Sequence, residues 1–152
     1  MGYFGVMGIL LIVFIVLGAF LLPTIFYLIT LQGTLNLVSF GNRKMQPGQV
    51  WLCLIPLFNI VWQFIVVDAI ADSLRAEFKE RNIKVDEERP GSGIGLAYCI
   101  LEACSLIPFV NFLTALPAFI CWIIYWVRIS NYKSMLQYSQ TTQAAQAPAN
   151  QE

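Results

Sequence analysis

The sequence predicts an all-α integral membrane protein with four helices. Of its 152 residues, 58% are hydrophobic and 12% are charged, whereas a soluble domain is about half apolar and about a quarter charged. The apolar residues also fall into long runs, as bilayer-spanning helices of about 20 residues require. We expect a single membrane domain over residues 1–138, with spans at 5–31, 48–67, 94–109 and 113–130.

The first apolar run extends from Tyr3 to Leu31. It is longer than the core of a signal peptide and has no basic segment before it, so we expect a retained helix. Its length permits tilt or a bend at Pro23. Gly2, Gly5 and Gly8 recur at every third position. This spacing indicates either a face for close helix association or the ordinary glycine content of membrane helices.

The second apolar run follows a polar connector. We expect the helix to begin near Pro47, because proline suits the first turn. The sequence is apolar as far as Val67. Beyond it, Ile70, Leu74 and Phe78 recur every fourth residue among charged residues. This pattern predicts an amphipathic extension of the helix into the cytoplasm.

The third run, from Gly95 to Val127, is long for one span and slightly short for two. We favour two short helices joined by a turn at 108–111, and a re-entrant arrangement stays open. Small polar residues at 139–152 predict a disordered tail. Aromatic and basic residues before this tail predict a set of interface anchors, namely Trp122, Tyr125, Trp126, Arg128 and Lys133.

The distribution of Lys and Arg predicts the orientation in the membrane. Four spans place both termini and the middle loop on one side, together with seven of the nine basic residues. The opposite side then holds only Arg43 and Lys44. We therefore expect a multi-pass protein of the bacterial inner membrane with both termini in the cytoplasm.

A motif, Leu-Ile-Pro-x-x-Asn (LIPxxN), occurs twice, with Pro56 and Asn59 in the first copy and Pro108 and Asn111 in the second. Proline frees a backbone carbonyl about one turn earlier, and the asparagine amide carries donors and acceptors that can cap a break. We interpret each motif as a capped break or turn at membrane depth. The pattern predicts two helix–LIPxxN–helix repeats in the same orientation, with a kinked span or a short lead-in helix around the first motif.

The stretch NRKMQPGQVWLCLIPLFNIVWQFIVVDAIADSLRAEF, from Asn42 to Phe78, resembles a family of small, poorly characterised bacterial multi-span membrane proteins. The features shared with this family form a PGxVW…LIPxFN signature. The rest of the chain agrees with the family only in hydropathy. The resemblance implies a bacterial integral membrane protein and no established activity.

Glu102 is the one acidic residue deep inside an apolar run. Such a residue is costly in a membrane unless it is paired, protonated or hydrated, so it is a candidate for function. Helical spacing and the two LIPxxN motifs place several other polar side chains where they can meet it. We expect an interior polar cluster of Glu102 with Asn59, Gln63, Tyr98, Ser105, Asn111 and Thr114.

Two interpretations of Glu102 stay open. It could handle protons or cations, or it could be a protonated group whose hydrogen bond to an amide holds helices together. An anion site is not expected, because no Lys or Arg lies at that depth. Asp68 and Asp72 likewise indicate either a cation entrance in an oligomer or a solvated helix face.

The composition also bears on the class of function. The chain has no histidine, and its four cysteines lie in apolar stretches, so we interpret them as small hydrophobic residues rather than disulfide or metal ligands. With no catalytic set, we predict no enzymatic activity and no cofactor, and zero net charge argues against a nucleic-acid partner. We predict a membrane component that lies in the lipid bilayer and forms homo-oligomers or complexes with other membrane proteins. The alternative is a small proton- or cation-conducting channel or transporter using Glu102.

Overall fold

The computed structural model describes residues 2–55 and 57–146, with side chains over 5–55 and 57–145. Over these residues the only regular elements are helices, so the all-α prediction is confirmed for this part of the chain. In chain order they are α1 (Gly2–Leu37), a 3₁₀ helix (Pro47–Leu54), α2 (Phe58–Glu80), α3 (Ser92–Cys104) and α4 (Pro108–Gln146).

Two stretches, Gly5–Leu37 and Pro108–Ala145, are long and apolar enough to cross a membrane. The other two predicted spans differ from this pattern. Helix α3 has 13 residues, which corresponds to about 20 Å, shorter than a hydrocarbon core of about 30 Å. The predicted span at 48–67 is divided between the 3₁₀ helix and α2.

The helix boundaries follow the prolines. The 3₁₀ helix ends just before Pro56 and forms the short lead-in helix expected there. Helix α4 begins at Pro108, so the second turn lies at 105–107 rather than at the expected 108–111. Proline is favoured at a first helical position because the missing N–H has no intrahelical partner there.

Helix α4 also extends further than the sequence suggests, because residues 139–146 are helical where a disordered tail is expected. Two contacts hold this part of the helix. Gln140 Nε2 donates to the carbonyl of Leu37 at 3.3 Å, and Ser139 Oγ accepts from Arg81 at 2.9 Å. The rest of the expected tail, residues 147–152, lies outside the described residues.

Helices α1 and α4 run parallel. The ring centroids of Tyr27 and Trp122 are 5.6 Å apart, and further along both helices Gln140 contacts Leu37. Residue numbers in the two helices rise together between these contacts. Their C-terminal ends therefore lie at the same end of the protein, which we call the polar end.

The chain between α1 and α2 forms the first of two hairpins. Segment 38–55 runs back along α2, with the Lys44 backbone N–H donating to Ser73 Oγ at 2.9 Å. Nearer the turn, Trp62 Nε1 donates to the carbonyl of Gln49 at 2.9 Å. The first arm of this hairpin is therefore the connector with its 3₁₀ helix, and not α1.

Helices α3 and α4 form the second hairpin. Ser105 Oγ and Thr114 Oγ1 are 2.9 Å apart near the turn. Further from the turn, Gly95 packs so closely that an added Cβ would lie 2.8 Å from Tyr125 Cε2. The two hairpins have the same orientation, because the rings of Phe78 and Tyr132 meet near the polar end, with centroids 5.7 Å apart.

This arrangement corrects the predicted placement of loops and termini. The sequence places the connector with Lys44 opposite the Asp68–Gly93 region, yet Lys44 contacts Ser73. Because α1 and α4 run parallel, the N-terminal end of α1 also lies opposite the C-terminal end of α4, whereas both are expected on one side. The prediction assumed that each apolar run crosses completely, but the second run turns back at its LIPxxN motif. All nine basic residues therefore lie toward the polar end: Arg43, Lys44, Arg75, Lys79, Arg81, Lys84, Arg89, Arg128 and Lys133.

The predicted amphipathic extension of α2 forms much of the core. Ile70 and Leu74 are fully buried and Phe78 is nearly so. Of the predicted interface anchors of α4, the aromatic residues pack against α1. Tyr125 is buried, and Trp126 makes an edge-on contact with Tyr27. The two basic anchors contact the protein as well, with Arg128 paired to Glu87 and Lys133 packed over Gly33.

At the polar end, Glu77 is the centre of a buried cluster. Its carboxylate accepts from the Ser39 N–H at 2.9 Å, the Ser39 hydroxyl at 2.8 Å and the Asn42 amide at 2.7 Å. Arg81 forms an ion pair with it and also donates to the carbonyl of Leu37 at 3.0 Å. Burial opposes ionisation, but these hydrogen bonds outweigh it and lower the pKa of Glu77. The cluster joins α1, the connector and α2.

Candidate functional site

An open cavity of about 870 Å³ lies between α1 and α4 and reaches the N-terminal part of α2 and the C-terminal part of α3. Most side chains that line it are apolar. Six of the seven residues of the predicted polar cluster also line it, and these are Asn59, Gln63, Tyr98, Glu102, Ser105 and Asn111. The seventh, Thr114, is hydrogen-bonded to one of them.

Helix directions explain why these residues meet. Helix α2 starts just after the first turn, and α3 ends just before the second, so the N-terminal end of α2 lies beside the C-terminal end of α3. Asn59 Nδ2 consequently donates to Glu102 Oε1 at 3.3 Å, although 43 residues separate them in sequence. Their side chains form the polar part of the cavity wall.

This pair leaves two oxygen atoms available. Asn59 Oδ1 and Glu102 Oε2 are enclosed, and neither has a hydrogen-bond partner among the described residues. An enclosed polar atom without a partner costs free energy, so such atoms in a folded protein call for an explanation. The pair is thus only partly satisfied by the protein itself.

Gln63, in contrast, has a hydrogen-bond partner at both its side-chain nitrogen and its side-chain oxygen. Its Nε2 donates to the Tyr27 hydroxyl at 2.6 Å, and its Oε1 accepts from Cys53 Sγ at 3.1 Å. The sequence did not identify Tyr27 and Cys53 as members of the site. They come from α1 and the 3₁₀ helix, and the signal that could have found Tyr27 is a phenolic hydroxyl within an apolar run.

The residues at the second turn have mainly local roles. Ser105 Oγ donates to the carbonyl of Leu101 at 2.9 Å, and Thr114 Oγ1 donates to that of Val110 at 3.1 Å. Their mutual contact at 2.9 Å holds the two arms of the hairpin together. Asn111 lies in the first turn of α4 and is exposed at the cavity edge.

The two LIPxxN motifs use their asparagines in a way that differs from the prediction. The backbone N–H of Asn59 donates to the carbonyl of Ile55 at 2.9 Å, and that of Asn111 donates to the carbonyl of Ile107 at 2.8 Å. The groups that close both turns are therefore backbone amides and not the side-chain amides. The Asn59 side chain is directed to Glu102 instead.

The predicted acidic pair lies in the middle of α2 and is not part of the cavity. Asp68 and Asp72 both bind the Arg89 guanidinium, at 2.5 Å and 2.9 Å. These ion pairs join α2 to the chain before α3. All four cysteines are free thiols, and Cys53 and Cys99 are buried.

The fold and the cavity define a helical protein with two helices that could cross a membrane and a partly satisfied carboxyl–amide pair between its helices. Comparisons with protein-family models, curated proteins and solved structures find no match for this chain.

Proposed function

We propose that this protein is a non-enzymatic component of the bacterial inner membrane that associates with itself or with other membrane proteins through the first half of α1. We call residues 5–17 the α1 extension. Every side chain in it is exposed, and its large residues are all apolar. Apolar surface of this extent favours contact with lipid or with another protein.

The length of the apolar surface supports a protein partner in addition to lipid. The pairing of Tyr27 with Trp122 places the start of α4, Pro108, level with about residue 13 of α1. From Gly5 to Gln32, at about 1.5 Å per residue, α1 is about 42 Å long. A hydrocarbon core is about 30 Å thick, and common tilts of about 20° remove only a few ångströms of this excess. A second protein that covers the α1 extension would shield the apolar length that exceeds the hydrocarbon core.

The glycines of the α1 extension support helix contact in particular. A Cβ added at Gly5 or Gly8 would have nothing within 4 Å of it. These positions are one turn apart and leave the backbone open to a second helix, as small residues do in close helix pairs.

The test measures native mass in several mild detergents and in nanodiscs. We expect wild type to be a dimer or larger, and a double variant, Gly5→Leu with Gly8→Leu, to shift toward monomer because leucine holds the helices apart. Ile9→Leu with Ile12→Leu is the matched control and should leave the mass unchanged. A wild-type monomer in every detergent and in nanodiscs would refute self-association.

The revised orientation is also a proposal. With all nine basic residues toward the polar end, the positive-inside rule favours a cytoplasmic polar end and a far-side N-terminal end of α1. Cysteines introduced at Ser39 and at the exposed Glu88 should then both resist an impermeant thiol reagent in intact cells, and one added ahead of Met1 should react. Labelling of only one of Ser39 and Glu88 would contradict the shared polar end.

The internal repeat remains a proposal with structural support. Besides the asparagine N–H bonds, Ile55 donates to the carbonyl of Leu52 and Ile107 to that of Cys104, both at 3.1 Å. The two turns therefore carry the same pair of backbone hydrogen bonds at equivalent motif positions. Hairpins of the same orientation fit parallel repeats.

Proton or cation conduction through Glu102 is the second candidate function. The observation that favours it is the enclosed Glu102 Oε2 without a partner among the described residues. Proteoliposomes with wild type should conduct under an ion gradient, and Glu102→Gln should abolish the flux, because an amide cannot take up the charge. Flux equal to that of empty liposomes, or unchanged in Glu102→Gln, would contradict this function.

A further inference from the structure

The open cavity has the size and composition of a ligand site. Its volume of about 870 Å³ falls within the range of about 300–1,000 Å³ that is typical of small-molecule sites, which combine apolar walls with a few polar groups. Here the apolar walls come from α1 and α4, with Phe20, Leu116 and Phe119 among them. The polar groups lie together on α2 and α3.

The polar groups restrict the chemistry of a ligand. Gln63 has partners within the protein. Among the described residues that line the cavity, the enclosed side-chain atoms without a partner are Asn59 Oδ1 and Glu102 Oε2. The 3.3 Å bond between Asn59 Nδ2 and Glu102 Oε1 keeps the two side chains adjacent. An amide oxygen accepts hydrogen bonds and does not donate them, and an ionised carboxylate likewise only accepts. With Glu102 ionised, both oxygens therefore require donors from the ligand.

Charge restricts the ligand further. Neither Lys nor Arg lines the cavity. A phosphate or carboxylate in the ligand would have no basic partner here, which disfavours phospholipids and fatty acids. A primary ammonium group carries three N–H donors and a positive charge, and charge-assisted hydrogen bonds to a carboxylate are the stronger kind.

We propose that the open cavity binds a hydrophobic amine. The Asn59 and Glu102 side chains rotate to present Oδ1 and Oε2 to its ammonium group, and its apolar part lies between α1 and α4. The ammonium group neutralises Glu102 and gives partners to both oxygens. This binding requires neither self-association nor ion conduction, so it stands or falls separately from the functions proposed above.

The test uses a brominated 12-carbon alkylamine and purified protein in phosphatidylcholine nanodiscs. Bromine quenches tryptophan fluorescence at short range, and Trp122 lines the cavity. We expect quenching that unbrominated dodecylamine reverses, whereas dodecanol reverses it only at concentrations at least tenfold higher and dodecanoate does not. Trp122→Phe should remove the reversible part of the signal. Equal competition by amine, alcohol and acid would overturn the proposal.

Variants locate the site. Glu102→Gln should weaken competition by dodecylamine at least tenfold and leave competition by dodecanol unchanged. If dodecylamine competes as well in this variant as in wild type, the role of Glu102 is refuted. If this variant does not fold, Ala115→Phe provides the test, because Ala115 lines the cavity and a larger side chain should block the amine. Leu113→Phe is the matched control, because Leu113 is exposed on the same helix outside the cavity lining. If neither Ala115→Phe nor Leu113→Phe weakens amine binding, or if both weaken it equally, the assignment of the amine to this cavity is overturned.

Discussion

Glu77 and Glu102 are both removed from solvent to a large degree, but the protein surrounds them differently. Glu77 accepts five hydrogen bonds, two of them from a guanidinium. Glu102 has the Tyr98 hydroxyl beside it, accepts one long bond of 3.3 Å from Asn59, and keeps one enclosed oxygen without a partner among the described residues. Glu77 therefore stabilises the fold, whereas one oxygen of Glu102 can still accept a hydrogen bond from another molecule.

The difference follows from what reaches each residue. Glu77 lies where a connector rich in N–H and hydroxyl donors folds against α2, so the carboxylate is satisfied as the chain closes on it. Glu102 faces helix surfaces whose backbone groups already bond within their own helices, so only side chains can reach it. Four measurements test how far this contrast holds.

The largest effect is expected for Arg81→Ala. It should lower the free energy of unfolding by about 3–5 kcal/mol, because Glu77 would remain buried without its charged partner. The side chains of this ion pair are 9% and 0% exposed. Chemical denaturation in a mild detergent measures the change.

Arg75→Ala is the matched control for that variant. Arg75 also forms an ion pair with a glutamate, but the two side chains are 50% and 81% exposed. Its loss should therefore change the free energy of unfolding by less than about 1 kcal/mol. Equal losses in the two arginine variants would mean that burial does not distinguish the pairs.

The second effect concerns the charge of Glu77 itself. Glu77→Gln keeps the shape but leaves Arg81 without a carboxylate, and it turns one acceptor oxygen into a donor. We expect a loss of about 2–3 kcal/mol in the free energy of unfolding, in the range for hydrogen bonds to charged groups. A loss below about 0.5 kcal/mol would show that the cluster tolerates a neutral centre.

The third effect is a pH dependence. Because the pKa of Glu77 is lower in the folded protein than in the unfolded chain, its charge stabilises the fold above the unfolded value of about 4.3. This stabilisation should decline as the pH falls below that value, by at most about 1.4 kcal/mol per pH unit for one proton. Between pH 7 and pH 3, the free energy of unfolding should fall less in Glu77→Gln than in wild type. Parallel curves of this free energy against pH for the two proteins would contradict the prediction.

The smallest effect is expected for Glu102→Gln, the matched substitution at the other glutamate. Glutamine keeps an acceptor for Asn59 Nδ2, so the free energy of unfolding should change by less than about 1 kcal/mol. The same denaturation series measures it. A loss as large as that of Glu77→Gln would make Glu102 a structural group and remove the contrast.

Much of the fold could be predicted from local sequence. Helix content follows from the apolar runs, the break at the first LIPxxN motif from Pro56, and the buried face of α2 from the spacing of Ile70 and Leu74. The contact between Asn59 and Glu102 could also be expected, because both are polar residues in apolar runs close to a motif.

The rest depends on contacts between distant segments. The i, i+4 spacing of Glu77 and Arg81 predicts an ion pair on one helix face, but it gives no sign of the donors from the connector, 35 and 38 residues away. A signal was present, because Glu77 falls on the same helical stripe as Leu74 and Phe78. The turn within the second apolar run was missed because hydropathy does not show whether an apolar run crosses a membrane or turns back.

The parallel pairing of α1 with α4 has a consequence for the order of events during synthesis. Thr30 and Trp126, which share a hydrogen bond of 3.0 Å, are 96 residues apart in sequence. At about 5–20 residues per second, a ribosome makes the intervening chain in about 5–20 s. During that interval α1 is complete while its main partner does not yet exist. The two hairpins close over much shorter loops, so α1 is made first and docks last.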